Sequence, residues 1–529
     1  MRDVLSLQPL EPRRLMAVYY VSPGGDDQAL GLAAEQAWRT VERVNVQRLR
    51  AGDTVLFQAG KSYAGGLYLS TREAGSEARP IVFSTFGKGR ATLYSGAASG
   101  LEISENAGVA VTNISFVGAG MHASQVSGIY AHVGTAAKPL TYLHFRNVEA
   151  SGYGHEGLTI VASGAGSSIS NVKIERSSFH DNLWGGVNVT GSAVAGVNRN
   201  YVVDHVRAYN HPGLQSGTFV TGNGIYLADV EDALVQRCVA YNNGTNGIAP
   251  VGIWAAGSKR VTFQYNESYD NRTTSGTDGG GFDFDWDVTD SVMQYNYSHG
   301  NDGPGYMLGA GSHVNDGNVV RYNVSENDGR KNGRGGIYLW GNVTRAAIHN
   351  NVVYTVPSTD PNLAALRAYD GGADGKVPQN VLVANNVFQT EGGAKLINLS
   401  SAIATKSKFT FANNAYYSGT GAFRIQWGSA AHASLAAWRD ATGQEKTSAG
   451  KASGYQGHPR LAGAGLGGTI GNADLLGSLT AYRLQAKSPL VDRGRAVTPP
   501  AGISAVTSDF FAGPALLGPA SDIGIHELR

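Results

Sequence analysis

The sequence predicts an all-β solenoid, in which one short unit is wound many times into stacked parallel coils. The first observation behind this is a repeat. Six segments, VTFQYNESYDN (261–271), SVMQYNYSHGN (291–301), NVVRYNVSEND (318–328), AAIHNNVVYTV (346–356), NVLVANNVFQT (380–390) and FTFANNAYYSG (409–419), set alternating apolar residues before an Asn. The Asn residues are Asn266, Asn296, Asn323, Asn351, Asn386 and Asn414, spaced 30, 27, 28, 35 and 28 apart. Degenerate copies precede them at 171–182, 201–210 and 233–243. The second observation is a Gly-led segment between copies: GGVNVTG (185–191), GNGIYLADV (222–230), VGIWAAG (251–257), GGFDFDWD (280–287), GPGYMLGAG (303–311) and GGIYLWG (335–341). Its period of two is that of a strand. The third is that the connections lack the two-residue Asn-Gly spacing of tight hairpins. Successive turns then stack in parallel, each burying its neighbour's apolar face.

The recurrent Asn fits a bend inside such a coil, where a backbone group would otherwise go unpaired. A stack of amides can bond that backbone and one another from turn to turn. Cys238, the one cysteine, falls in the Asn register, which predicts an inward and inert thiol.

Composition excludes several classes. With 72 Gly among 529 residues, 42% hydrophobic and 9% aromatic, the chain is too apolar for disorder, and its Gly lacks the every-third spacing of collagen. Lys+Arg is 42 and Asp+Glu 41, so the basic excess of a nucleic-acid binder is missing. No apolar run reaches the roughly 18 residues of a membrane-spanning helix. A single cysteine excludes an internal disulfide framework and a cysteine zinc cluster.

With these repeats in place, the chain resembles the right-handed parallel β-helix proteins of the pectate-lyase-like superfamily, over most of its length. YYVSPGGDD (19–27), AWRTVERVN (37–45) and AGDTVLFQAGKSY (51–63) resemble the entry of secreted members, where an amphipathic helix plugs the open end. SPLVDRG (488–494) and SDIGIHE (521–527) resemble the closing segment of bacterial members, although Gly513-Pro514 stands where that pattern carries an Arg. Leu10-Glu11-Pro12-Arg13-Arg14-Leu15-Met16 resembles the LEPR-type N-terminal segment of large planctomycete-like bacterial proteins. The resemblance implies a secreted or envelope-associated protein. The expected organisation is an export-like segment over 1–18, an N-terminal helical cap and first strand over 19–65, the β-helix over 66–425 and a C-terminal capping or wrapping segment over 426–529, with Ser434 as N-cap of a short helix. About 12 coils at roughly 4.8 Å each give a rod of about 55 Å. A capped solenoid leaves no sheet edge to pair, so a monomer is expected.

Fold does not give function, so the site is argued from side chains. Aligning the Gly-led strands puts Asn188, Tyr226, Trp254, Asp283, Met307 and Tyr338 in one outward column, with Arg367 next. Two residues further along come Thr190, Ala228, Ala256, Asp285, Gly309 and Trp340, then Tyr369. An aromatic row of Tyr226, Trp254, Tyr338, Trp340 and Tyr369, with Arg367, suits the flat C–H faces and hydroxyls of a polysaccharide. In its midst Asp283 and Asp285 share a face, with Cα atoms roughly 6.6 Å apart. Like charges that close raise one proton affinity, as an acid–base pair needs. The expected activity is glycoside hydrolysis by this pair, without a required cofactor. Gly279-Gly280-Gly281 would let a glycan approach the backbone.

Two other readings use the same residues. Asp278, Asp287 and Asp302 are candidate calcium ligands, which suits a uronate lyase or epimerase whose base is Arg367, Arg272 or Lys331. A non-catalytic polysaccharide-binding or adhesion module needs only the aromatic row. Asp278, Asp302, His299 and Glu156 are auxiliary candidates.

Overall fold

The computed structural model describes residues 16–528 apart from 74, 193–195, 216–219 and 372–374. The LEPR-type segment, Met16 excepted, lies outside the described residues. The chain is a right-handed parallel β-helix of three sheets. One coil shows the plan. Val251–Ala256 lies in a first sheet, Lys259–Gln264 in a second and Glu267–Tyr269 in a third, before Gly280–Phe284 re-enters the first one coil on. We call the first the cleft sheet. It has 14 strands, from Leu67–Leu69 to Ala430–His432, the last antiparallel to its neighbour, so 13 parallel strands mark 13 turns. The 12 or so turns expected fall one short.

The bend from second to third sheet explains the repeat. Tyr265, Tyr295, Tyr322, Asn350, Asn385 and Asn413 turn the chain at φ between 51° and 58°, a left-handed conformation costing a side-chain-bearing residue roughly 1–2 kcal/mol. Each is followed by a fully inward Asn. Asn296 donates both its backbone N–H and its Nδ2 to Oδ1 of Asn323, at 2.9 and 3.1 Å, and the pattern continues through Asn351, Asn386 and Asn414. Glu445 ends the ladder, its Oε1 accepting from Asn414 N, Asn414 Nδ2 and Tyr416 Oη. A second ladder at the exit of the third sheet runs Asn243, Asn271, Asn301, Asp328. It was legible as a second Asn or Asp five residues after Asn266, Asn296 and Asn323, a spacing the sequence reading did not use.

Cys238 takes the expected place: fully buried, its N–H donates 2.8 Å to Asn266 Oδ1. Burial pushes its thiol up, away from the reactive thiolate. A thiol reagent in excess is therefore expected to leave native protein unlabelled and to label one site per chain in denaturant, checked by intact mass.

At the N-terminal end the helix Val41–Val46, capped by Thr40 Oγ1, buries Val41 and Val44 beside Trp38. At the other end Ser434 Oγ caps Leu435–Thr442 by accepting from Ala437 N at 3.1 Å. The chain then returns along the outside of the third sheet. Leu461, Leu476, Tyr482 and Ile525 pack there on Tyr295, Tyr297, Tyr322 and Val352. Glu267 accepts the backbone N–H groups of Ile470 and Gly471 at 2.8 and 2.6 Å. No helix among the described residues is long and apolar enough to cross a membrane.

Candidate active site on the cleft sheet

Parallel stacking carries the register from coil to coil without a shift. Asn188 pairs with Tyr226, Tyr226 with Trp254, Trp254 with Asp283, Asp283 with Met307, Met307 with Tyr338 and Tyr338 with Arg367. The outward column is thus the one the aligned strands predict. Phe282 and Phe284 enter the core and Asp283, between them, projects to the other face.

The column differs from an open row. Trp254, Asp283, Met307 and Tyr338 are all buried. Two guanidinium groups lie over the Tyr338 ring, Arg334 at 5.0 Å and Arg367 at 5.7 Å from its centroid, and the buried ring is not open to a sugar. Trp254 stacks on Tyr226 at 3.8 Å, and its Nε1 donates to Asn223 Oδ1. Arg367 also donates to Gly333 O at 3.0 Å. Tyr369, 44% exposed, is the open member of the row. The glycine triplet serves the coil: a Cβ at Gly280 would strike Pro304 O of the next turn at 2.6 Å, and one at Gly279 would meet Thr273 at 2.8 Å. The expected room for a glycan backbone is taken by neighbouring coils.

Asp283 is 1% exposed and its Oδ1 has no hydrogen-bond partner. Burial, then the charges of Asp285 and Asp278, push its carboxyl well above the usual range, against Arg334. Asp285 follows on the same face, partly exposed, accepting 3.0 Å from Trp286 N. Burial and Asp278 push it up as well. Asp278 itself ion-pairs with Arg334 at 2.8 Å, and its burial outweighs that pair to leave it raised. Trp340 lies beside Asp285: a Cβ on Gly309 would sit 2.4 Å from the indole Nε1 and 3.2 Å from Asp285 Oδ1. That indole N–H is a buried donor without a partner.

Three candidates lie apart. His299 sits on the third sheet, stacked on Tyr269 at 4.8 Å and bonded to Glu267 at 3.1 Å under the returning C-terminal chain. Proximity to Asp283 in sequence does not survive the turn to another sheet. Asp302 is held by Arg272 at 3.2 Å and Lys331 at 3.0 Å, which also removes those two cations as bases at the pair. Glu156 is four coils from the Asp283 strand, about 19 Å along the axis, beyond the roughly 3 Å reach of a proton transfer. The proposed calcium ligands are also not gathered. Asp278 pairs with Arg334, Asp287 with His313 at 2.9 Å, and Asp302 with its two cations. Among the described residues no group of three or more His, Cys, Asp or Glu is placed to hold a metal.

The sequence reading missed Arg334, Trp184 and Trp286. All three come from connections between strands, where no period announces a side chain's direction. Trp184 and Trp286, with Tyr226, Trp254, Glu156 and Asn188, line a pocket of about 420 Å³ on the cleft sheet.

The fold and this face define a right-handed parallel β-helix bearing a buried carboxyl cluster beside an aromatic pocket. Residues 209–353 match the family model described as the right-handed β-helix region. Among solved structures, the GH136 lacto-N-biosidase from Eubacterium ramulus is 18% identical with a TM-score of 0.49, over 63% of this chain and 64% of that one. The chain thus spans less than two thirds of that protein. Pectate lyase Pel9A is 16% identical with a TM-score of 0.45, over 98% and 97% of the two chains. XylC, solved with xylose, is 10% identical with a TM-score of 0.47, over 97% and 98%. No curated protein matches the chain.

Proposed function

We propose that the chain is a secreted or envelope glycoside hydrolase acting on a glycan laid along the cleft sheet, with Asp285 and Asp283 as its carboxyl pair. The observation that carries this is the pair itself: two adjacent carboxyls, both raised by burial, one coil on from Trp254, which lines the indole-walled pocket. A raised carboxyl keeps its proton to higher pH than an ordinary one and can give it to a glycosidic oxygen as the C–O bond breaks. Asp285, the partly exposed member, takes that role. Asp283, with Oδ1 unclaimed, acts at the anomeric carbon, as base toward water or as nucleophile, in the state where the pair holds one proton and Asp283 is the ionised member. The unpartnered Trp340 N–H beside Asp285 can orient the carboxyl or a sugar hydroxyl.

One observation favours a second reading. Arg334 and Arg367 lie over Tyr338, about two and three coils past the pair, and cations there suit a uronate carboxylate, hence a lyase or epimerase. Mass spectrometry of products from a panel of plant and algal polysaccharides decides. Saturated oligosaccharides are expected. Unsaturated products would mean elimination and overturn the hydrolase reading. Glycan binding without any product would leave a polysaccharide-binding module.

A further inference from the structure

We infer that the pocket between Trp184 and Trp286 is a subsite for an uncharged sugar residue, with Glu156 and Asn188 selecting for hydroxyl donors and against uronate carboxylates; this rests on the glycan-binding reading above and names the substrate class. The pocket's walls are indole and phenol: Tyr226 stacks on Trp254 at 3.8 Å, Trp286 meets Trp254 edge-on at 6.0 Å, and Trp184 lies on His155 at 3.8 Å. Flat apolar walls suit the C–H faces of a pyranose.

The polar groups at its far end have one sense. Asn188 spends its Nδ2 on Glu156 Oε1 at 3.0 Å, which leaves Asn188 Oδ1 a buried acceptor with no partner. Glu156 Oε2 accepts from Thr159 Oγ1 at 2.9 Å and Ser127 Oγ at 3.4 Å, while Oε1, with the single donor Asn188 Nδ2, keeps further acceptor capacity. Asn223 is already used, its Oδ1 accepting from Val251 N and Trp254 Nε1, both at 3.0 Å, and its Nδ2 donating to Val220 O at 3.2 Å. Thr190 Oγ1 donates to Gly191 O at 3.2 Å. Among the described residues no Lys or Arg lines the pocket. Unfilled acceptors beside a carboxyl satisfy sugar O–H groups. A uronate carboxylate would lose its water beside the Glu156 carboxyl and the Asn188 carbonyl, with no cation among the described lining residues to offset the repulsion. Asn188 precedes Asp283 by three coils, about 14 Å, so the subsite binds and does not react.

The test is isothermal titration of the full chain carrying Asp283→Asn and Asp285→Asn, which stops turnover and removes the pair's own repulsion of anions. The probes are xylo-, gluco- and galacto-oligosaccharides against oligogalacturonates and oligomannuronates. At least one neutral series is expected to bind, with each acidic series at least about tenfold weaker, and Glu156→Gln or Asn188→Ala should weaken neutral binding about tenfold. Trp184→Ala should do the same. The near-isosteric Glu156→Gln keeps the test valid if the Trp variant fails to fold. Acidic oligosaccharides binding as tightly as neutral ones, neutral binding indifferent to all three variants, or no neutral binding at all overturns the inference. Turnover by the unsubstituted chain is read separately. Selective binding without turnover removes the hydrolase and keeps the subsite; turnover with indifferent variants does the reverse.

Discussion

Asp285→Asn is expected to lower kcat by roughly 10²- to 10⁴-fold, and Asp283→Asn by a comparable factor, measured on whichever polysaccharide the product screen returns. The two losses should not add, because the carboxyls act on one bond as a unit. The pH profile gives the argument its sign. Both carboxyls are pushed up, so the working state, with one proton on the pair, should occupy a pH window displaced above the usual carboxylate range, and kcat/KM should fall on both sides of it, on the alkaline side as the acid loses its proton. Stability should fall on the same alkaline side as activity. A carboxyl whose proton affinity is raised by folding contributes most when protonated, below its unfolded value of about 3.9. That contribution is lost as pH rises through the folded value, because the native state must then ionise a buried group. Asp283→Asn cannot ionise, so its Tm should exceed that of the unsubstituted chain at pH 8 by about 2 °C or more, with the gap closing toward pH 4. Loss of kcat without that stability gain would mean Asp283 is held by partners, not raised by burial.

This pair was legible because a parallel coil is a simple instrument. Period two fixes which residues face out, and an unshifted register lets Gly-led strands align by eye: Trp254, Asp283, Met307 and Tyr338 fall in line for that reason alone. What the sequence hid lies where those two rules lapse. His299 is only sixteen residues past Asp283, yet each coil has three sheets, and that distance places it on the wrong one. Arg334 arrives from a connection whose length varies between coils, so neither its pairing with Asp278 nor its place on Tyr338 follows from any spacing. Whether an outward column is open or covered is likewise a property of these connections. The strands supplied the column and the loops closed much of it.

The ladder sets the other large effect. Asn323→Leu is expected to destabilise the chain by about 3–6 kcal/mol, seen as a lower denaturant midpoint. Asn323 accepts from the backbone N–H and the Nδ2 of Asn296, both within 3.1 Å, and donates Nδ2 to Met293 O at 2.9 Å and to Asn351 Oδ1 at 3.0 Å. Leucine is near in volume but offers none of these. Two donors of Asn296 and one carbonyl are then left unpaired in a site without solvent, at about 1–3 kcal/mol each. Tyr322 keeps its left-handed turn, with less to hold it there. A solenoid limits how far the damage travels, since each coil leans only on its neighbours. Hydrogen exchange should therefore quicken first in the strands around 293–298, 319–326 and 347–355, while coils near the N-terminal cap keep their protection. Asn398→Ala is the control: its Nδ2 donates to Asn362 O at 2.9 Å in an exposed contact where water replaces the bond, so the expected change stays within about 0.5 kcal/mol. Equal losses in the two variants would mean that the buried amides owe their stabilising effect to volume alone. A loss confined to Asn323→Leu assigns it to hydrogen bonds that the bend between sheets cannot make from its own backbone.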